Sequence, residues 1–115
     1  MNVHVVTADS FGTAEEELKG LPVVCRRLKE GREDIQKQRY AIRLDPRHVA
    51  SFGNGNNDRL HLKAVKEAGG LAFAIDNGEG CGLEAILNAN LFVTGAAQAL
   101  DLLLEPIRLR ATLRR

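Results

Sequence analysis

The sequence predicts an α/β domain in which parallel strands are joined by helical crossovers, and three observations carry that reading. Short apolar runs alternate with longer amphipathic stretches along the chain, which is the pattern of strand–crossover–strand units. The run Leu71-Ala72-Phe73-Ala74-Ile75 is apolar without interruption, as suits a strand covered on both faces. Glycine, asparagine and aspartate cluster where such runs end, most densely at Gly53-Asn54-Gly55-Asn56-Asn57-Asp58. Open parallel sheets place their ligands at those strand ends.

In chain order, Val3-His4-Val5-Val6 reads as a first strand ending at Thr7, before a turn at Ser10-Phe11-Gly12. Thr13, with Glu16 following in the same segment, forms a capping box for a short helix that Gly20 and Pro22 end. Val23-Val24-Cys25 is the second strand. A helix is expected from about Glu33 to Arg43, with Ile35 and Ile42 on its apolar face and Asp45-Pro46 closing it. His48-Val49-Ala50-Ser51-Phe52 reads as a third strand running into the Gly53–Asp58 loop. Leu62, Val65 and Ala68 give the next helix its apolar face, and Gly69-Gly70 terminate it. Beyond the fourth strand, Leu71–Ile75, comes a turn at Asp76-Asn77-Gly78. Leu83, Ile86 and Leu87 then mark a short helix, and Leu91-Phe92-Val93 a last strand. Leu100, Leu103 and Leu104 form a final helical stripe, broken at Pro106. No repeat, low-complexity tract or linker interrupts the pattern, so residues 1–115 read as one domain.

Sixteen basic residues against fifteen acidic ones leave a net charge of +1, so no overall field attracts nucleic acid or an anionic membrane. Aromatics make up only 4% and are not interleaved with a basic stripe, which argues against a base-stacking surface. Arg108, Arg110, Arg114 and Arg115 read as cations complementing the C-terminal end of a last helix. The longest apolar run is far too short to span a bilayer. The Met1-Asn2-Val3-His4 start lacks the basic and apolar regions of a signal peptide, and the expected compartment is the cytoplasm. Cys25 and Cys81 have no metal or redox spacing and read as reduced, packed thiols.

The polar residues at the strand ends are Thr7, the Gly53–Asp58 loop and Asp76. In the loop, glycines let the backbone approach a ligand, and a helix start offers N–H groups to an anion. Asp58 adds a hard oxygen ligand suited to Mg²⁺. The same residues also suit a turn in which Asn57 or Asp58 caps the following helix. Taken singly, Thr7 reads as a turn residue and Lys37 as a solvated helix lysine. His4, His48 and His61 have no metal-ligand spacing and read as core or surface residues.

Together these pieces resemble the haloacid-dehalogenase-like (HAD) superfamily, and within it the small soluble P-type-ATPase-like hydrolases. The segment through Val6-Thr7-Ala8-Asp9-Ser10-Phe11-Gly12-Thr13 looks like the second HAD motif, an apolar strand ending in Thr or Ser. Lys37, in Gln36-Lys37-Gln38-Arg39-Tyr40, is similar to the third-motif lysine. Gly53 to Asp58 resembles the fourth motif, Gly-Asp-Gly-x-Asn-Asp, and Glu84 to Val93 resembles the Ala-Asp-Ile-Val segment downstream. The resemblance covers nearly all of the chain. It implies a three-layer Rossmann-like (HAD-type), mostly parallel sheet with helices on both faces. It also implies a Mg²⁺-dependent phosphohydrolase or phosphotransferase working through an aspartyl-phosphate. The catalytic set it carries over is Thr7, Lys37 and Asp58. Thr7, Ala8, Lys37, Gly55 and Asn57 would surround a phosphate or phosphorylated small molecule, with Asp58 and Asn54 at Mg²⁺.

Two departures accompany the resemblance. The family's nucleophile lies in an Asp-x-Asp-x-Thr-type motif on a strand ahead of the second motif, where this sequence begins. Asp9 follows Thr7 and does not replace it. The domain is therefore expected to lack the fold's first strand and to be inactive alone, since removing a concerted nucleophile costs on the order of 10⁶ in rate. Asn54 stands where the P-type pattern has its first loop aspartate. The absent strand belongs between Val3–Val6 and His48–Phe52. Those strands are then expected either to pair directly or to leave edges that associate, as in a homodimer burying Val3 and Val5. Two other classes stand beside this reading. One is a non-catalytic interaction or oligomerising module. The other is a dinucleotide-binding domain using Gly53-x-Gly55 and Asp76, although Asp58 occupies the position where that fingerprint has Gly or Ala.

Overall fold

The computed structural model describes residues 2–8 and 13–114. The Ser10-Phe11-Gly12 turn, and Asp9 with it, lie outside the described residues. The chain is α/β with parallel strands, arranged as two small sheets. In the first, β1 (Val3–Thr7) pairs with β2 (Val23–Arg27) from Val3↔Val23 to Thr7↔Arg27, and α1 (Thr13–Glu17) lies between them in sequence. The second has the order β3 (Ala50–Gly53), β4 (Leu71–Ile75), β5 (Leu91–Val93), with Ala50↔Leu71 and Phe73↔Leu91 in register. The helices are α2 (Glu33–Arg43), α3 (Arg59–Glu67), α4 (Leu83–Leu87), α5 (Ala96–Leu103) and α6 (Pro106–Leu113).

The second sheet carries the core. Side chains alternate across a strand, so Ala72 and Ala74 of β4 face Leu62 of α3 and Ala85 of α4. Phe73 and Ile75 face Ala99 of α5, with Leu102, Leu103 and Leu109 packed around them. Phe52 stacks on Phe73 with ring centroids 4.8 Å apart. The uninterrupted apolar run of β4 is thus covered on both faces, as its composition predicts. The turn that returns the chain to β4 depends on Gly69 and Gly70. Gly69 has φ +93°, and a Cβ at Gly70 would stand 2.2 Å from the Pro46 carbonyl oxygen.

Several expectations are corrected. Where a single sheet is expected, β1 pairs with β2 alone and β3 with β4 alone. Residues 3–6 and 48–52 therefore share no hydrogen-bond ladder. The third strand begins at Ala50 rather than His48, because Pro46, with its φ fixed, opens a 3₁₀ turn over Pro46–His48. The second strand continues through Arg27. Ile42 is exposed and Ala41 is the buried residue of α2. In α4 the leucines point out: Leu83 is 74% and Leu87 76% exposed, while Ala85 and Ala89 are buried. That face of β4 is lined by alanines, so the short helix sits close and uses its small side chains. Leu100 and Leu104 are likewise exposed; the break expected at Pro106 is present, α5 ending at Leu103 and α6 starting at Pro106. Cys25 and Cys81 are free thiols, partly buried, and burial together with nearby Asp76 pushes the Cys81 thiol up from its ordinary pKa.

Phe73 is fully buried and Phe92 is 46% exposed, which separates their predicted costs. Phe73→Ala is expected to destabilise by about 3–5 kcal/mol, whereas Phe92→Ala should stay under about 1 kcal/mol. Urea unfolding of the two variants checks this, and equal shifts would contradict the assigned core.

Candidate functional site

The site is built where β3 ends. Gly53 closes that strand, and any Cβ there would stand 2.5 Å from the Cβ of Asp58. The absence of a side chain lets the loop fold back so that Asp58 lies beneath its own start. Asp58 is 5% exposed. Its Oδ2 accepts hydrogen bonds from the backbone N–H of Asn54 (3.0 Å) and of Gly55 (3.1 Å). Its Oδ1 accepts from Lys37 Nζ at 2.7 Å and from His61 Nε2 at 3.1 Å. A carboxylate offers about four acceptor positions, and all four are filled from within the chain. Because the carboxylate can only accept, His61 presents its Nε2–H to Asp58. Its Nδ1 hydrogen-bonds the Ser51 hydroxyl of β3, which is also buried. Burial raises the Asp58 pKa, but the hydrogen bonds from His61 and Lys37 and the Lys37 charge outweigh it, holding the carboxyl well below the usual carboxylate range.

Helix α2 delivers Lys37. Its first turn is fixed by Gln36, whose side-chain amide donates to the carbonyls of Lys29 (2.9 Å) and Gly31 (2.7 Å). The Gln36 Oε1 accepts the Lys29 N–H in return at 2.9 Å. Asp34 accepts from Arg59 of α3 at 3.0 Å. One turn past Lys37, Tyr40 hydrogen-bonds His4 of β1 at 2.7 Å. The helix therefore grips β1 through Tyr40 and the β3 loop through Lys37.

Between the two sheets lies a cleft of about 740 Å³, bordered by residues 3–6 of β1 and 50–53 of β3. Tyr40 and Ala41 of α2, Leu44 just past its end, and Leu100 and Leu103 of α5 line it. Lys37, Asn54 and Asp58 line it as well.

Of the residues singled out in the sequence, Lys37, Asn54, Gly55 and Asp58 are brought together. Thr7 stands half-buried at the end of β1, where its carbonyl accepts the Leu28 N–H at 2.8 Å, and Ala8 follows it exposed. Asn57 is exposed, and Asp58 at the N-cap of α3 accepts no capping hydrogen bond from that helix, its carboxylate turning back toward Asn54 and Gly55. Asp76 is a turn residue: its Oδ1 accepts from Gly78 (2.8 Å) and Gly80 (2.9 Å). Two participants were not singled out, Ser51 and His61. The signal for His61 was its place three residues after Asp58, one turn along a helix start, where side chains meet.

The geometry also tests two ligands. A dinucleotide pyrophosphate would need the loop amides of Asn54 and Gly55, and the Asp58 carboxylate already occupies them. Mg²⁺ would need free carboxylate oxygens. Asp58 has none to spare, and an ammonium sits 2.7 Å from its Oδ1. In this arrangement the residues do not fit the ion. Among the described residues, no cluster of three or more His, Cys, Asp or Glu is placed to hold a metal. None of the described helices is long and apolar enough to cross a membrane.

The chain is 36% identical over 92 residues to the uncharacterized protein MJ0073 of Methanocaldococcus jannaschii, a match that covers 76% of this chain and 95% of that protein. The two belong to one family. No protein-family model matches the chain, and no solved structure does.

The Lys37–Asp58 pair makes two predictions. Lys37→Met should destabilise by about 3–5 kcal/mol, because it leaves a buried charge without its cation. The pH dependence follows from the lowered Asp58 pKa. A carboxyl depressed in the folded state contributes stability that is complete above its unfolded value of about 3.9 and declines as pH falls below it. Urea midpoints from neutral pH downward should therefore stay level and then drop in acid. The Asp58→Asn variant, less stable throughout, should show a shallower drop, and an unchanged one would contradict the assignment.

Proposed function

We propose that this chain is a HAD-like phosphate-handling domain, with that superfamily's three-layer Rossmann-like arrangement, which does not turn over phosphate esters by itself. The observation that supports the reading is the convergence of Lys37 on Asp58. The resemblance assigns these two residues to one site although 21 positions separate them, and their side chains meet at 2.7 Å. The meeting point lies at the strand ends, where α/β sheets bind ligands.

In the proposed site the resting anion is Asp58 itself. An ammonium has three donors, and one of those on Lys37 engages Asp58. A phosphate or phosphorylated small molecule would take a second Lys37 donor from the cleft side, with the Thr7 hydroxyl closing on another oxygen from the end of β1. Donors aimed at a phosphoryl group stabilise the charge it carries and develops. Ala8, Gly55 and Asn57 bound the same space by resemblance, and the Gly55 amide contributes only if Asp58 releases it. No seat is assigned to Mg²⁺, because Asn54 and a saturated Asp58 do not supply one. No described residue that lines the cleft offers a free carboxylate as nucleophile. Among the described residues lining the cleft, Asp58 is the one carboxylate, and its lone pairs are engaged.

With p-nitrophenyl phosphate and Mg²⁺, the purified chain should show no turnover above background. Turnover that disappears in Asp58→Ala would overturn the proposal. Inorganic phosphate titrated into labelled protein should shift the amides of Ala8, Gly55 and Asn56, equally with and without Mg²⁺. Shifts confined to Arg108, Arg110 and Arg114 would remove the site.

A further inference from the structure

We propose that Asn77 is a self-modifying residue: the turn after β4 is built to convert its side-chain amide, through a succinimide, into aspartate or isoaspartate. The reaction does not depend on what binds near Lys37.

An asparagine side chain is open to attack by the backbone nitrogen of the next residue, most of all where that residue is glycine and no Cβ shields the nitrogen. The chain has two such pairs, Asn54-Gly55 and Asn77-Gly78. Asn77 and Gly78 are both exposed to water, in the turn that follows Ile75. The Gly78 N–H donates to Asp76 Oδ1 at 2.8 Å, and the Gly80 N–H holds the same oxygen at 2.9 Å. A carboxylate lying along the N–H bond is placed to take its proton as a general base, and it leaves the face of the nitrogen free for the electrophile. On the far side of the amide, the N–H of Ala96, the first residue of α5, donates to Asn77 Oδ1 at 2.9 Å. That oxygen carries the negative charge once the nitrogen adds, and an N–H at a helix N-terminus stabilises it there.

The step balances with water as the only co-reactant. The Gly78 nitrogen forms a bond to Asn77 Cγ as its proton passes to Asp76. The bond from Cγ to Nδ2 then breaks, and the amide nitrogen leaves as ammonia, taking that proton. Water next adds to one of the two carbonyls of the ring. Opening at Cγ returns the proton to the Gly78 nitrogen and gives aspartate, while opening at the backbone carbonyl gives isoaspartate. Either product sets a carboxylate where the Asn77 amide now meets the start of α5, a position that favours an anion. The change is irreversible, so it is set by time and not by a ligand.

At Asn54 the same chemistry is opposed. The Gly55 N–H also meets a carboxylate, Asp58 Oδ2 at 3.1 Å. That carboxylate is buried, is filled by Lys37, His61 and the Asn54 N–H as well, and is held well below the usual carboxylate range, so it is a weak base. Asn54 is also held on both sides of its Cα. Its N–H donates to Asp58 at 3.0 Å, and its carbonyl accepts the Gly82 N–H at 2.7 Å. The loop is not free to turn the Asn54 side chain onto Gly55.

The test incubates the full chain at neutral pH, folded and in denaturing urea, and follows both asparagines by peptide mapping, with fragmentation that separates aspartate from isoaspartate. In the folded protein Asn77 should convert faster than Asn54 by about tenfold or more, and faster than it does itself in urea, where the two pairs should react alike. Asp76→Ser keeps an oxygen for the turn but no base, and should slow Asn77 in the folded protein by about tenfold without changing Asn54. Equal rates at the two pairs in the folded protein overturn the proposal, as does a folded rate at Asn77 no higher than its rate in urea. An unchanged rate in a folded Asp76→Ser variant overturns it as well. The comparison of folded and unfolded wild-type chain needs no variant, so it decides even if Asp76→Ser does not fold.

Discussion

The Asp58 carboxylate draws hydrogen bonds from four groups that the sequence scatters over Lys37, Asn54, Gly55 and His61. The architecture around it depends on that convergence. The carboxylate holds the β3 loop closed from below, orients His61 against Ser51, and binds α2 through Lys37. Since α2 also holds β1 through Tyr40 and His4, one helix ties the two sheets together. A buried carboxylate with its donors removed would carry the full desolvation penalty. Each donor is thereby held in place by the cost of losing the others.

That dependence matters because apolar burial is distributed unevenly. Among the described residues, every buried hydrophobic side chain belongs to Ala41 or lies after it. β1 and β2 contribute half-buried and exposed side chains, and Val3 and Val24 are 45% and 50% exposed. Hydrophobic burial therefore stabilises the sheet of β3, β4 and β5, while the β1–β2 pair relies on its own ladder and on α2. Segments with few buried contacts open at lower free energy, so β1 and β2 are expected to open more readily than β3, β4 and β5.

Much of this was legible in the sequence, and what was not has physical causes. The β4 run and the limits of α2 were legible because one depends on unbroken apolarity and the other ends before Asp45-Pro46. The Lys37–Asp58 contact was reached only by resemblance, since no local pattern relates residues that far apart. The outward leucines of α4 were misjudged because periodicity shows that a helix has an apolar stripe but not which neighbour covers it. Here the facing surface is Ala72 and Ala74, which admit only alanine at close range. The split sheet was half legible. The sequence left two outcomes for β1 and β3, direct pairing or edges meeting in a homodimer, with the reading leaning to the second; the two strands do not pair with each other.

The remaining asymmetry lies between charge and backbone. In the loop at the end of β3, the charges are satisfied internally: Asp58 has its cation and its amides, and no buried side-chain polar atom among the described residues lacks a partner. A ligand drawn only by electrostatic need would find little there. The β1 and β3 edges are different: among the described residues, β1 pairs only with β2 and β3 only with β4. Water can serve the backbone groups of those edges while the cleft stays open, but water leaves Leu44 and Leu100 exposed.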